Sequence, residues 1–417
     1  MTKEFLTLDD FSLSGKTVLV RVDINAPLMK DTLEIMDASR MKAVLPTIQE
    51  LSRKGAKTVL LAHQGRAGDW DFIPLDRHAK ALSGLLGMEV KFVPDVCGEK
   101  AKDAIRKLKS GEILLLDNVR GLKYETDEKT PKEHAETELV KNLSPLADLF
   151  VNDAFGAAHR SQCSLVGFTQ TLPSAAGRLM EKELTTLDRI FRHPEHPAVF
   201  IFGGAKYSDA VKVVSRLFKS GTADKVIAVG VFGQALYRAK GVDLGKGNNE
   251  FLKKEEAPGV AESARNLWNE YGSKIILPVD FGVKGKDGKR QEINASQLPT
   301  ELPILDIGTE SIKRFGDELA GAKTIFVSGP AGAFEDKEFL KGTKDLFTLV
   351  ASSSNAFKVI GGGHTTAAME ELGLIGKISY ASTGGGSLEA YLLGKPLPVV
   401  EALKESALIR EKSKKGK

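Results

Sequence analysis

KTVLVRVDINAPLMKDTLEIMDASRMKAVLPTIQELSRKGAKTVLLAHQGR, residues 16–66, carries the pattern that decides the fold. A β-branched and leucine-rich run, KTVLVRVD (16–23), precedes a stretch with helical apolar spacing, LEIMDASRMKAVLPTIQEL (33–51). A second strand-like run, AKTVLLAH (56–63), follows it. Strand, crossover helix and strand in that order define an α/β unit with a parallel sheet. The unit recurs. Further strands are expected at EILLLDNV (112–119) and DLFVNDAF (148–155), then at AVFIFGG (198–204), DKVIAVGV (224–231), SKIILPVD (273–280), AKTIFVSG (322–329), FKVIGGG (357–363) and KISYAS (377–382).

A chain of 417 residues exceeds what one core usually supports, and its 42% hydrophobic content can fill two. Two domains of nearly equal size are expected. Between the two sets of strands lies LPSAAGRLMEKELTTLDRIFRHPEHP (172–197), in which Leu179, Met180, Leu184, Leu187 and Ile190 recur at helical spacing before a proline-bounded break. This is read as a connecting helix over 172–192, with an ordinary crossover helix as the alternative. The domains expected on either side are 1–171 and 193–400.

Lys plus Arg number 59 against 55 for Asp plus Glu, and a net charge of +4 argues against nucleic-acid or membrane partners recruited by bulk charge. The acidic, interrupted N-terminus holds no apolar run for a signal peptide, and no stretch approaches transmembrane length. Only Cys97 and Cys163 occur, without a CxxC spacing, so a reducing, cytoplasmic setting is expected.

In open parallel sheets ligands bind beyond the carboxyl ends of the strands, so the residues just after each strand carry the chemistry. The two halves differ there. Each strand of the first half runs into a cation: Arg21 with Asp23 and Asn25, His63 with Arg66, Arg120, and His159 with Arg160. Arg40, early in the following helical stretch, is placed to point back at the same rim. Arginine grips phosphate or carboxylate in a bidentate fork, so the set reads as an anion site. Taken singly, each arginine has a bland alternative as a structural ion pair with Asp23, Asp37 or Asp153. The second half ends its strands in glycine instead: Gly203-Gly204-Ala205-Lys206, Gly230, Gly329-Pro330-Ala331-Gly332, Gly361-Gly362-Gly363-His364-Thr365 and Gly384-Gly385-Gly386-Ser387. Such loops bring backbone N–H groups and helix N-termini close to phosphates.

Other chemistries find little support. SGKT at 14–17 lacks the upstream glycine of a P-loop and precedes a strand. AVGVFG at 228–233 misses the first glycine of GxGxxG. No HExxH, no ligand-spaced histidine pair and no GxSxG appear, so neither a metal cage nor a serine nucleophile is indicated.

Ten motifs in register, from about residue 16 to about 400, resemble the phosphoglycerate kinase family. They are RVDINAP (21–27), HQGR (63–66), DNVR (117–120), NDAFGAAHR (152–160), AGRLMEKEL (176–184), GGAK (203–206), LPVD (277–280), GPAGAFE (329–335), GGGHT (361–365) and STGGGSLE (382–389), with DIG (306–308) between them. The resemblance implies two Rossmann-like lobes, the first completed by the C-terminal segment 401–417, and transfer of the acyl phosphate of 1,3-bisphosphoglycerate to ADP. It assigns phosphoglycerate to Asp23, Asn25, Arg40, His63, Arg66, Arg120 and Arg160. It assigns the nucleotide to Gly204, Lys206, Glu335, Gly361, Gly362, Gly363, His364 and Thr365. Arg40, Lys206, Gly362 and Gly385 are expected around the transferring phosphate, with Mg2+ arriving on ADP or ATP. A monomer with no nucleic-acid or membrane partner is expected. His364, Ala210, Ser328 and Gln162 depart from the common pattern, and the first of these looks like the archaeal branch; the metal ligands stay open.

Overall fold

The computed structural model describes residues 4–205 and 207–415, with side chains described to residue 412. It divides into two units, one holding the chain up to Leu184 together with its return from Glu389, the other running Thr185–Leu388.

The first unit is built on six parallel strands: β1 (Thr17–Val22), β2 (Lys57–Leu61), β3 (Val90–Phe92), β4 (Ile113–Leu115), β5 (Leu149–Asp153) and β6 (Ser174–Ala176). Their order in the sheet is β3-β4-β2-β1-β5-β6. Because helices cover both faces, the central strands bury nearly every side chain: TVLVRV is apolar apart from Thr17 and Arg21, and LFVND apart from its terminal Asn152 and Asp153. The short edge strands β3 and β6 were not expected. Three residues apiece, the second of them Ser-Ala-Ala, leave no period to detect.

The helix after β1 begins at Ser39 rather than near residue 33. Residues 27–36 fold back as a hairpin-like loop, with Met29 N–H donating to Glu34 at 2.8 Å and Met36 N–H to Pro27 at 2.9 Å. Asp37 then starts the helix, accepting from the Ser39 amide at 2.8 Å and the Ser39 hydroxyl at 2.7 Å. Asp37, an alternative arginine partner on sequence, is thus occupied by Ser39 in the turn before the helix.

The second unit holds a six-stranded parallel sheet of β7 (Ala198–Phe202), β8 (Lys225–Ala228), β9 (Ile275–Ile276), β13 (Thr324–Ser328), β14 (Phe357–Gly361) and β15 (Tyr380–Ala381), in the order β15-β14-β13-β7-β8-β9. A separate antiparallel sheet, β10 (Asp280–Lys284), β11 (Arg290–Asn294) and β12 (Ile304–Ile307), departs from the all-parallel expectation. Its polar strand RQEIN carries little apolar signal. This sheet explains two motifs as scaffold: the Asp280 carboxylate accepts from the Glu310 amide at 2.9 Å and the Ser311 amide at 2.8 Å, capping the helix Thr309–Leu319 from a neighbouring strand. A Cβ on Gly308 would lie 2.2 Å from that carboxyl, so LPVD and DIG need each other.

The connecting helix runs Arg178–Phe191, shorter than expected because β6 takes up its first residues. Met180, Leu187 and Ile190 are fully buried. Its start is bound within the first unit: Asp153 accepts from the Met180 amide at 3.0 Å, and Arg178 forks onto Glu50 at 2.7 and 2.8 Å while also reaching Asp9 and Glu181. Its end is bound within the second, where Phe191 meets Phe200 and Phe326 and Arg189 lies over Phe357. Cys97 and Cys163 are both free and buried. Among the described residues no helix is long and apolar enough to cross a membrane.

Arg178's two hydrogen bonds hold the Glu50 carboxyl down at about 2, below its ordinary 4.5. A depressed folded pKa gives stability that is complete above the unfolded value and is lost as pH falls through the folded one. Glu50→Gln is therefore expected to be about 2 kcal/mol less stable than the parent above pH ~5, with the gap closing toward pH ~2. Denaturant midpoints of the two proteins across that range check it.

Candidate active site

The carboxyl ends of β1, β2, β4 and β5 lie along one edge of the first sheet because all four strands are parallel. The loops that leave them are tied to one another by buried amides. Asn118 accepts from the Arg120 amide at 3.2 Å and donates to the carbonyls of Gln64 at 2.8 Å and Ile73 at 3.0 Å. Gln64 in turn bonds both the N–H and the carbonyl of Ala26, at 2.9 and 3.0 Å, and Asn25 accepts from the Gly65 amide at 2.9 Å. Gln64 is scaffold, although it sits inside the HQGR motif. Asn25 is shared between scaffold and rim.

On this frame stand the basic side chains. Arg40 is the second residue of its helix, 43% exposed, and its Nη1 donates to Asp23 Oδ2 at 2.8 Å. The bland ion pair with Asp23 is real, yet it leaves most of the guanidinium presented outward. Arg66 is exposed, while Arg120 and Arg160 are half-buried. Arg120 Nη1 donates to the Gly65 carbonyl. Its pKa is pulled down to about 10, first by burial and then by Arg160 and Arg21, with Arg66 adding to the effect. Mutual repulsion of this kind marks a site completed by an anion.

Two expected cations behave differently. Arg21 is 1% exposed and faces inward, donating to Ser164, to the Val22 carbonyl and to His63. His63 is itself 4% exposed, and burial followed by Arg21, Arg120, Arg160 and Arg40 drives its pKa well below 6.5. It is a neutral imidazole. Since Arg21 Nη2 lies 2.9 Å from His63 Nδ1 and a guanidinium only donates, the ring proton resides on Nε2. His159 is also shifted down, by burial and then Arg160, so the permanent charge of the rim is arginine alone. Composition and spacing gave no sign of Glu125 and Ser164, whose side chains follow in turn from Arg21; only Ser164, a polar residue between Cys163 and Leu165, offered a faint hint.

In the second sheet the edge is formed by backbone. Gly203 N–H donates to Ser328 at 2.9 Å and Gly204 N–H to Pro330 at 2.9 Å. A Cβ on Gly203 would come 2.2 Å from the Pro330 carbonyl oxygen, and one on Gly329, at φ 96°, 2.4 Å from the Gly203 carbonyl. The strand ends of β7 and β13 therefore touch main chain to main chain. Helices Tyr207–Lys219, Gly230–Ala239, Gly363–Glu371 and Gly386–Leu392 all start at this edge, where the first-turn amides have no acceptor within their own helix. Gly362, at φ 91°, is the residue before the third of them; Gly385, at φ 46°, holds the same place before the fourth.

Thr365 is buried at 1% exposure, and its hydroxyl accepts from the Gly329 amide at 2.7 Å. Its side chain joins the two glycine loops, leaving only its backbone for a ligand. His364 is exposed at the start of its helix, with its ring 6.3 Å from that of Phe334. Glu335 is exposed next to Phe334. Ala210 faces the core, 8% exposed. Lys206 lies outside the described residues.

An arginine rim at one sheet's carboxyl edge and amide-lined glycine loops at another's are features of a phosphotransferase of two α/β lobes. The phosphoglycerate kinase family profile matches residues 8–395. Phosphoglycerate kinase of Methanothermus fervidus is 44% identical over 403 residues, covering 97% of this chain and 98% of that protein. The enzyme of Methanococcus maripaludis is 46% identical over 411 residues, covering 96% and 98%. The crystal structure of phosphoglycerate kinase from Pyrococcus horikoshii OT3 superposes with a TM-score of 0.85 at 40% identity over 96% of this chain and 99% of that one. The protein belongs to the phosphoglycerate kinase family. It catalyses the glycolytic transfer of the acyl phosphate of 1,3-bisphosphoglycerate to ADP, giving ATP and 3-phosphoglycerate.

Gly329→Ala, which puts a Cβ into main chain at positive φ, is expected to destabilise the protein by at least ~1–3 kcal/mol. Gly363→Ala meets nothing within 4 Å at ordinary φ. Its stability is expected to stay within ~0.5 kcal/mol of the parent. Thermal unfolding of both variants separates packing glycines from those kept open for ligand.

Proposed function

We propose that phosphoglycerate is held by Asp23, Asn25, Arg40, His63, Arg66, Arg120 and Arg160, and the nucleotide by Gly204, Lys206, Glu335, Gly361, Gly362, Gly363, His364 and the Thr365 backbone. The observation that carries this reading is the company of a neutral His63, with its proton on Nε2, among arginines whose charges oppose one another. Such a set is incomplete without an anion.

Phosphoryl transfer needs in-line placement and neutralisation of the equatorial oxygens, with little covalent work for the protein. Arg120, Arg160 and His63 fix the phosphoglycerate anion. Arg40, steadied by Asp23, extends from the rim toward the transferring group, and the amides around Gly362 and Gly385 supply fixed donors to its oxygens. Lys206 adds a point charge from the nucleotide side. Chemistry requires the two half-sites to meet and water to be shut out, so a closing motion belongs to the cycle. The connecting helix, bound at its start by Arg178 and at its end by Phe191, is the segment we assign to that hinge.

Enzymes of this family generally use magnesium nucleotides. Among the described residues no group of three or more His, Cys, Asp or Glu side chains could hold a metal ion. That fits magnesium, which keeps several waters and binds through phosphate oxygens with few protein ligands. When bound it supplies charge neutralisation at the phosphates, where His364 and Glu335 are exposed side chains of the glycine-loop motifs. Buried free cysteines and the absence of a membrane-crossing helix among the described residues support our placing the enzyme in the cytoplasm.

In a coupled assay of ATP formation, Arg40→Ala is expected to lower kcat by about 10²-fold or more while ADP binding is nearly intact. Unchanged kcat would remove Arg40 from the transfer step. Lys206→Ala is expected to impair turnover as well, and His364→Ala to alter the magnesium dependence; an unaltered dependence would leave His364 without a role at the metal.

A further inference from the structure

Behind the rim a chain of four buried polar side chains runs from a carboxylate to the imidazole. Glu125 is 1% exposed, Ser164 0%, Arg21 1% and His63 4%. Glu125 Oε1 accepts from the Ser164 hydroxyl at 2.6 Å, and Oε2 accepts from the Ser164 amide at 2.9 Å. Having given its proton to Glu125, the hydroxyl offers only lone pairs on its other side, and Arg21 Nε donates to it at 2.8 Å. Arg21 spends Nη1 on the Val22 carbonyl and Nη2 on His63 Nδ1 at 2.9 Å. Each link has one polarity. A guanidinium has no acceptor, so Nδ1 must present its lone pair and the single proton of the neutral ring stands on Nε2.

We propose that Glu125, acting through Ser164 and Arg21, is a positioning residue for the transfer reaction: it holds His63 in the Nε2–H form and in the orientation that donates to the phosphoglycerate anion. The inference rests on His63 being a phosphoglycerate ligand, as read above. Arg21 alone would not suffice. Arg160 and Arg120 oppose its charge, and a buried guanidinium needs a compensating carboxylate to keep one orientation. Glu125 supplies that charge through Ser164, and Asp23 adds to it from the rim.

Nitrogen-15 imidazole spectra of the intact enzyme at neutral pH test the first half without any variant. His63 is expected as a single neutral Nε2–H tautomer; an Nδ1–H or protonated ring would overturn the proposal. Ser164→Ala interrupts the chain and Ser164→Thr retains its hydroxyl. Ser164→Ala is expected to give a mixture of His63 tautomers and a KM for 3-phosphoglycerate raised about tenfold, with the KM for ADP unchanged and kcat altered less than about threefold. Ser164→Thr and the parent are expected to agree. Glu125→Gln is expected to follow Ser164→Ala, and combining Ser164→Ala with His63→Ala to add nothing to His63→Ala alone. A folded Ser164→Ala with the parental tautomer and parental KM would overturn the relay. A parental KM for 3-phosphoglycerate in His63→Ala would instead overturn the ligand assignment, while the spectra still report on the chain behind it.

Discussion

Like charges held close together cannot be a resting arrangement unless something opposes them, and the first lobe is organised around that constraint. Arg120 and Arg160 oppose each other, Arg21 lies beneath them, and Arg40 is drawn back by Asp23. A carboxylate buried behind the sheet edge compensates the arginine that is turned inward. Of the arginines turned outward, Arg40 is paired with Asp23, while Arg120 is still shifted down by its arginine neighbours. The loops after β1, β2, β4 and β5 therefore carry a cluster of arginines that we read as awaiting an anion. Phosphoglycerate, carrying a phosphate and a carboxyl at opposite ends, is such an anion.

The second lobe solves a different problem. A nucleotide polyphosphate must be approached closely by many donors without a fixed charge for each, and backbone amides do this only where side chains are absent. Glycine is required at Gly203 and Gly329 because two strand ends touch through their main chains, and at Gly362 because the helix after β14 starts from a left-handed residue. Thr365 binds these loops into one rigid edge through the Gly329 amide. In the function we propose, side-chain cations on one sheet and main-chain dipoles on the other divide the work of a phosphoryl transfer: the first hold phosphoglycerate, the second cradle the nucleotide phosphates.

The strands that carry the site were legible because they are buried on both faces and end in arginine or glycine, patterns that survive without any tertiary information. The helix start at Ser39, the edge strands β3 and β6, and the antiparallel sheet were not, since the first depends on a loop folding back over residues 27–36 and the others on short or polar segments whose partners are remote in sequence. Among the site residues, Arg40 and Arg120 occupy the places that strand-end reading assigns to them. Arg21 does not: it lies inside β1 and not beyond its end, in a strand buried on both faces, where Ser164 and His63 take up its donors. Thr365 likewise carries a motif position into a packing role. Glu125 and Ser164 lay beyond sequence reasoning, for a buried carboxylate far from any strand end is recognisable only once Arg21 is seen to need it.

The division of labour between the lobes is open to one direct measurement, the thermal stabilisation of the Arg160→Ala protein by each ligand separately. Removing an outward arginine should abolish most of the rise in Tm produced by 3-phosphoglycerate and leave the rise produced by magnesium ADP as it is in the parent. Equal loss of both, or retention of both, would contradict the account.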